Sequence, residues 1–557
     1  MQLISISDKG QRLAELKKHY KVVDVIDLDT YVPNSDELYN RIKSNFQIEY
    51  QSDERLVFTA TQDYHKTNHP NIALQSLQAM INEIDISNFF VAILSTNPDL
   101  EKEYSWVHRN ISTDPIPVHL YRISGSYSNT YSDIIPWQKY RGLKQDSVLL
   151  DKMPDREKKL LVESKTFCIL PWISLYVETD NRVLPCCYYK DEVLGDAKTD
   201  TLKTIWNNDK TRQLRLDMLN EKELASCRGC YLKDQQNKDD TVRASYNRKY
   251  LKEYNRIRET KPDGRLDRFE LPLINFNASN LCNLQCRMCV STVSSSLHTV
   301  EKQLGIPVSV KALVKPNPTF FEQYCEHIEH IQQVIFAGGE PLMMKETYDF
   351  VKRLGEHNRH DVELHYITNM THTGLGSTNI FDLWRKFNHI NLYASLDAEN
   401  DRALYLRPGP YTWNKIVDFR KQIRQTRPDI FFCVQSTITI LNALHMPDFH
   451  RSWVEQGLID ADQWVVNTLT NRQYLRVTTA PAYLKDQIRD KFKRHLEWLR
   501  PRDPYGKSTI GYMAIINAMD SAETFDPDLF WKQIEQRDKI YNVNLLDVFP
   551  ELVDLPR

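Results

Sequence analysis

Ser279-Asn280-Leu281-Cys282-Asn283-Leu284-Gln285-Cys286-Arg287-Met288-Cys289 decides how the rest of the chain is read. Its three cysteines stand at spacing C-x3-C-x2-C, directly after the apolar run Leu271-Pro272-Leu273-Ile274-Asn275-Phe276. Downstream, Phe336-Ala337-Gly338-Gly339-Glu340-Pro341 closes a second apolar run. Three thiolates in one loop can hold three irons of a [4Fe–4S] cube and leave the fourth iron without a protein ligand. An open metal position is where cofactor or substrate chemistry takes place. A structural zinc site, or cysteines gathered without a metal, are the competing readings of the spacing alone.

Working outward, six apolar runs lie near 271–278, 332–338, 363–369, 389–396, 430–439 and 462–469. Helical patterns fill roughly 284–303, 342–356, 376–387, 411–426 and 443–457 between and after them. This alternation predicts a parallel sheet covered by helices. Ligands of such sheets bind at the carboxyl ends of the strands. The cysteine loop, Gly338 to Pro341, Thr368-Asn369-Met370-Thr371 and Ser395-Leu396-Asp397 all fall there, with Arg407 soon after. Gln435, Thr437, Asn467 and Thr468 are placed to line the same mouth. Asn369, Ser395 and Asp397 also suit helix N-caps. Gly338 to Pro341 also suits a plain turn, Met288 helix packing, and Arg407 the surface.

A second set of cysteines precedes this region. Cys168 and the pair Cys186-Cys187 flank an expected hairpin, strand-like over Ile173 to Val177 and turning at Thr179-Asp180-Asn181-Arg182. Cys227 and Cys230 form a C-x2-C knuckle. Hairpin and knuckle thiolates together make a closed metal site, zinc or iron–sulfur.

The C-x3-C-x2-C loop with the G-G-E-P turn resembles the radical S-adenosylmethionine (SAM) superfamily. The resemblance implies a partial (βα)6 barrel in which Cys282, Cys286 and Cys289 carry a [4Fe–4S] cluster whose open iron chelates SAM. One electron from the cluster then cleaves SAM, and a 5′-deoxyadenosyl radical takes hydrogen from a substrate. Gly338, Gly339, Glu340 and Pro341 would bind the amino group of SAM. Asn369, Ser395 and Asp397 would lie against its ribose and carboxylate, and Arg407 would pair with that carboxylate. The residue before the third cysteine, commonly aromatic and set against the adenine, is here Met288, whose thioether can also pack on a ring.

Cys168 with Trp172, Asp180-Asn181, Val183 to Cys187, Gly195-Asp196, Thr201-Leu202 with Ile205-Trp206, and Cys227 to Cys230 resemble the SPASM/twitch auxiliary-cluster domain. The resemblance implies a second [4Fe–4S] cluster on Cys168, Cys186, Cys227 and Cys230, with Cys187 as the neighbour that usually does not ligate. Two departures stand out. The domain precedes the core instead of following it, and Asn181 replaces the turn glycine, a residue that tolerates the left-handed conformation.

The fold expected is α/β: residues 1–150 a small α/β domain, 151–260 the auxiliary domain, 261–475 the partial barrel and 476–557 a helical extension. In the first domain, strands are expected at Leu3 to Ser7, 22–28, 55–60 and 89–94, with helices at Gln11 to Tyr20 and Ile72 to Ile84. No G-x-G-x-x-G follows these strands, so a dinucleotide site is unsupported; His65 and His69 sit in a polar loop. With 72 basic against 74 acidic residues the net charge is −2, which predicts no nucleic-acid surface. No run approaches the roughly 18 apolar residues of a membrane span. The absence of a signal-peptide pattern and ten cysteines with ligand-like grouping fit a reducing compartment, the cytoplasm. Cys325 and Cys433 stand alone as core residues.

The activity implied is SAM cleavage and hydrogen abstraction from a peptide or small molecule. The auxiliary cluster would take the substrate electron, giving oxidation or cross-linking, and flavodoxin or ferredoxin would act as reductant. The alternative is a non-catalytic iron–sulfur or zinc protein for electron transfer or assembly.

Overall fold

The computed structural model describes residues 149–557, apart from 151, 190–191, 237–241, 309–311, 316 and 504–505, together with five strands of residues 1–148. Two compact units divide the chain, Met1–Met153 and Pro154–Arg557. In the first, β1 (Val25–Asp27), β2 (Leu56–Ala60), β3 (Val91–Ser95), β4 (Val118–Ile123) and β5 (Ile134–Pro136) stand side by side in that order. The first four are parallel and β5 runs antiparallel to β4. The expected runs at 22–28 and 55–60 hold β1 and β2, and that at 89–94 holds β3 up to its last residue, Ser95. In β4 and β5 the apolar signal is diluted by His119 and Arg122 or cut short by Pro136, which is why pattern alone does not raise them. The expected strand at Leu3 to Ser7, the two helices and the His65–His69 loop lie outside the described residues.

The second unit is built on a nine-stranded sheet. Its auxiliary end holds β6 (Tyr176–Val177), β7 (Arg182–Leu184) and β8 (Gly195–Asp196), an antiparallel set. Asn181 turns the β6–β7 hairpin at φ 75°. Then come β9 (Leu273–Phe276), β10 (Gln333–Phe336) and β11 (Glu363–Thr368), followed by the separate two-residue pair β12 (Gly374–Leu375) and β13 (Thr378–Asn379). β14 (His389–Ser395), β15 (Phe431–Ile438) and β16 (Trp464–Thr468) complete the sheet. The six core strands are all parallel and adjacent in chain order. This is the parallel α/β arrangement of a partial barrel.

The register explains the burial. Ile274, Val334, Leu364 and Ile390 are aligned across four neighbouring strands and all are buried. Each such side chain contributes about 1.5–3 kcal/mol by leaving water. Helices Lys345–Glu356, Trp413–Thr426 and Met446–Glu455 bury apolar faces and occupy the expected places.

The structure departs from the sequence expectation in several places, one of them the 376–387 span, which is helical only over Ile380–Trp384. β6 pairs parallel to β9 through Tyr176 and Asn275, so the cysteine hairpin extends the core sheet at its first strand. Helix in the expected 284–303 span is confined to Leu297–Gln303. Ser294 donates to the Leu284 carbonyl at 2.8 Å and Ser296 to the Cys282 carbonyl at 2.5 Å, and such side-chain bonds draw backbone away from helix. In the tail, the amphipathic runs Ala482 to Leu499 and Leu529 to Tyr541 are helices Ala482–Leu499 and Pro527–Tyr541, with a further helix, Lys507–Ala518, against β16. There a Cβ on Gly511 would come within 2.7 Å of Val466 Cγ2, so glycine is what permits the approach.

Candidate functional site

The three-cysteine loop leaves β9 and is sewn to the ends of neighbouring elements. Glu340 N–H donates to the Leu281 carbonyl at 2.7 Å, and Gly339 N–H to that of Ser279 at 3.1 Å. A Cβ on Gly339 would stand 2.1 Å from the Leu281 oxygen, and Gly338 has φ +101°. Both glycines are therefore fixed by the loop packed on top of them. On the other side, Gln285 N–H donates to Pro408 O at 2.7 Å and Arg287 N–H to Leu406 O at 2.9 Å. Asn280 donates to the Ser291 carbonyl at 3.1 Å and accepts from Val314 N–H at 2.8 Å, closing the loop on itself.

The strand ends meet the thiols directly. Asn369 Nδ2 lies 3.8 Å from Cys282 Sγ and 3.1 Å from Asn283 Oδ1. Arg407 Nη1 lies 3.7 Å from Cys286 Sγ, and its Nε donates to Asp397 Oδ2 at 2.6 Å. Asp397 is no helix cap: its other oxygen accepts Thr437 N–H at 2.7 Å, and the N-cap position of the next helix is Glu399. Ser395 ends β14 half-buried, Pro341 opens the short turn Pro341–Met343, and Met288 is buried.

Glu340 is enclosed by donors. It accepts from Asn369 N–H at 2.6 Å, Thr368 Oγ1 at 2.7 Å and Leu342 N–H at 3.0 Å. Burial nevertheless pushes its carboxyl up to about 7, outweighing these donors and the Arg407 charge. Burial also raises the thiols of Cys282 and Cys286 to about 12 and that of Cys289 to about 11. Each is raised further by another of the three, which places all three thiols within electrostatic reach of one another.

Two arginines that the motifs do not mark hold this loop. Arg287, fully buried, donates to Tyr405 O at 2.8 Å and to Asp538 Oδ1 at 2.6 Å. Arg472, in the left-handed region at φ 49°, donates to the Cys289 carbonyl at 2.7 Å and pairs with Glu301. The only sequence signal for Arg287 is its place between two expected ligands; Arg472, Glu301 and Asp538 have none.

The second cysteine set lines one cavity. Its wall includes Cys168, Cys186, Cys227 and Cys230, closed by Tyr188 and Tyr231 among others. Cys187 is exposed and absent from that wall. Burial raises the Cys168 thiol strongly, with further contributions from Cys186, Cys230 and Cys227. The G-D and T-L-x-x-I-W pieces meet here: a Cβ on Gly195 would lie 2.6 Å from Ile205 Cγ1. Thr201 caps the helix Leu202–Trp206 through Thr204 N–H. Trp172 donates to Thr260 Oγ1 at 2.8 Å and is buried.

A parallel sheet ends in a three-thiol loop, and a separate cavity is lined by four thiols. Residues 276–449 match the model of the Radical SAM superfamily, and residues 168–231 that of the SPASM iron–sulfur cluster-binding domain. No curated protein matches the chain. Among solved structures, native anSMEcpe with bound AdoMet is 17% identical with a TM-score of 0.29, over 41% of this chain and 59% of that one. The same protein with AdoMet and the Kp18Cys peptide gives 15% and 0.30, over 42% and 61%. TYW1 with a lysine-pyruvate adduct gives 14% and 0.21, over 41% and 71%. The chain thus spans about three-fifths of the length of the first of these structures.

A radical SAM domain carries a [4Fe–4S] cluster and SAM, and a SPASM domain carries auxiliary iron–sulfur. The side chains fit such groups. Desolvated thiols favour the neutral form unless a cation holds the thiolate. Arg407 Nη1, 3.7 Å from Cys286 Sγ, is such a cation. Among the described residues no three His, Cys, Asp or Glu side chains gather tightly around one metal ion. A cube does not require that, since each thiolate binds its own iron. Among the described residues no helix is long and apolar enough to cross a membrane.

Proposed function

We propose that the chain is a radical SAM enzyme using two clusters: one on Cys282, Cys286 and Cys289 within a barrel at 261–475, the other on Cys168, Cys186, Cys227 and Cys230 within 151–260. When bound, the first cluster and SAM supply reductive cleavage of SAM and hydrogen abstraction, and the second takes up the substrate electron. The substrate is a peptide or small molecule that leaves oxidised or cross-linked, and a flavodoxin or ferredoxin serves as reductant.

One observation carries this reading: Leu281, Glu340, Asn369 and Arg407 converge on the same loop, with Asn369 and Arg407 each against a cysteine sulfur. Around that loop, Glu340 offers carboxylate oxygens to an ammonium group, with Gly338, Gly339 and Pro341 shaping the approach. Asn369 and Ser395 offer hydrogen bonds to hydroxyls. Arg407, held by Asp397, keeps a cation beside Cys286. Met288 supplies apolar surface for a ring.

The test is anaerobic reconstitution followed by dithionite and SAM. About eight irons per chain, two cubes' worth, and release of 5′-deoxyadenosine are expected. Cys282→Ser should bring iron down to about four and stop the release. Continued SAM cleavage by Cys282→Ser would refute the assignment, and full iron without any cleavage would favour a non-catalytic electron carrier.

A further inference from the structure

The tail beyond β16 carries no motif, yet one of its helices reaches the cysteine loop. Asp538 and Tyr541 stand three residues apart on Pro527–Tyr541 and so share a helix face. Asp538 Oδ1 accepts from Arg287 Nη2 at 2.6 Å and from Tyr405 O–H at 2.7 Å. Its Oδ2 accepts Leu545 N–H at 2.8 Å, and Tyr541 O–H donates to the Gln285 carbonyl at 3.3 Å. The Arg287 guanidinium lies 3.7 Å from the Tyr405 ring centroid, sandwiched into the same knot. Arg287 and Asp538 are 251 residues apart in sequence, and both are largely removed from water.

A buried guanidinium without a carboxylate is strongly disfavoured, so this pair does two things. It ties the chain between Cys286 and Cys289 to Tyr405 and the tail helix, and it cancels the charge of Arg287, which directly follows Cys286 in the chain. We propose that Asp538 is a positioning residue of the radical SAM site, acting through Arg287 to hold the three-cysteine loop and to set the charge next to its cluster. The inference rests on the two-cluster reading above.

The test measures midpoint potentials by EPR-monitored titration of the two-cluster protein. The core cluster is identified as the one whose signal changes when SAM is added. Asp538→Asn leaves Arg287 uncompensated. Since reduction adds negative charge, a nearby unpaired cation makes the core cluster easier to reduce, and its potential rises. Arg287→Met leaves Asp538 uncompensated, and the potential falls. Arg287→Met with Asp538→Leu removes both charges and returns the potential towards the parent value. In all three the auxiliary potential stays put. Replacing a buried pair by apolar side chains is tolerated more readily than halving it, so the double variant and Arg287→Met decide the matter should Asp538→Asn not fold.

Unmoved core potentials in the single variants, equal shifts in both clusters, or a double variant displaced as far from the parent value as either single variant would overturn the proposal. A parent protein holding one cluster would sink the two-cluster reading, and this inference with it. Failure of the Asp538 role alone leaves both clusters in place.

Discussion

Glu340 shows what one residue contributes and how far sequence reaches at that scale. Its place after two glycines at a strand end is legible, because only glycine tolerates φ +101° and a carbonyl against the Cβ position. Its donors are not legible, since Thr368 and Asn369 arrive from another strand. The consequence is a carboxyl raised to about 7 by burial, which is half protonated near neutrality. An ammonium group prefers the carboxylate. SAM affinity should therefore rise as pH goes from 6 to 8. Glu340→Gln should flatten that dependence and weaken SAM binding by about ten- to a hundredfold, the worth of one charged hydrogen bond. Equilibrium dialysis of SAM against the anaerobic holoprotein measures both. Parent-like affinity in the variant would leave Glu340 only the task of joining two strand ends.

Among elements, strands were easier to foresee than their neighbours. Each of the six core strands falls inside its expected apolar run; along β11 and β14 buried positions alternate with half-exposed ones, so one face of each carries the signal. The pairing of β6 with β9 was not foreseeable: edge contacts use backbone groups, which every residue carries. The hairpin itself was, through its Asn181 turn and the cysteines around it. Its neighbouring cysteines make a clean comparison, since Cys186 lines the cavity and Cys187 is exposed. Cys186→Ser should cost the auxiliary cluster, about four irons, while Cys187→Ser should retain them. Iron analysis after anaerobic reconstitution decides this, and iron loss from Cys187→Ser instead would move the ligand by one residue. Over 284–303 periodicity suggests more helix than Leu297–Gln303, because the serines that unwind the loop look neutral in a periodicity count.

At the scale of the second unit, stability depends on histidines kept neutral in the interior. Sequence gives no hint of this, since a histidine in an apolar run looks the same whether or not it is solvated. His495 accompanies His450 within a cluster of Trp464, Trp498 and Tyr512, and His365 stacks on Tyr393 with ring centroids 4.4 Å apart. Burial depresses both His365 and His495 to about 3, and His445 to about 4. In the unfolded chain these groups take up protons near their ordinary value of about 6.5. Below that pH the unfolded state binds more protons than the native one, so stability is lost as the solution is acidified towards the depressed values. At pH 5 the difference costs up to about 2 kcal/mol for each of His365 and His495. The thermal midpoint of the anaerobic protein should therefore fall from pH 7 to pH 5. His495→Gln keeps a donor for His450 Nδ1, which now accepts from His495 Nε2 at 3.1 Å, but does not titrate. That variant should show a shallower fall over the same interval at equal iron content. An identical fall in parent and variant would mean that acid acts elsewhere, with the carboxylates or the clusters as the next groups to examine.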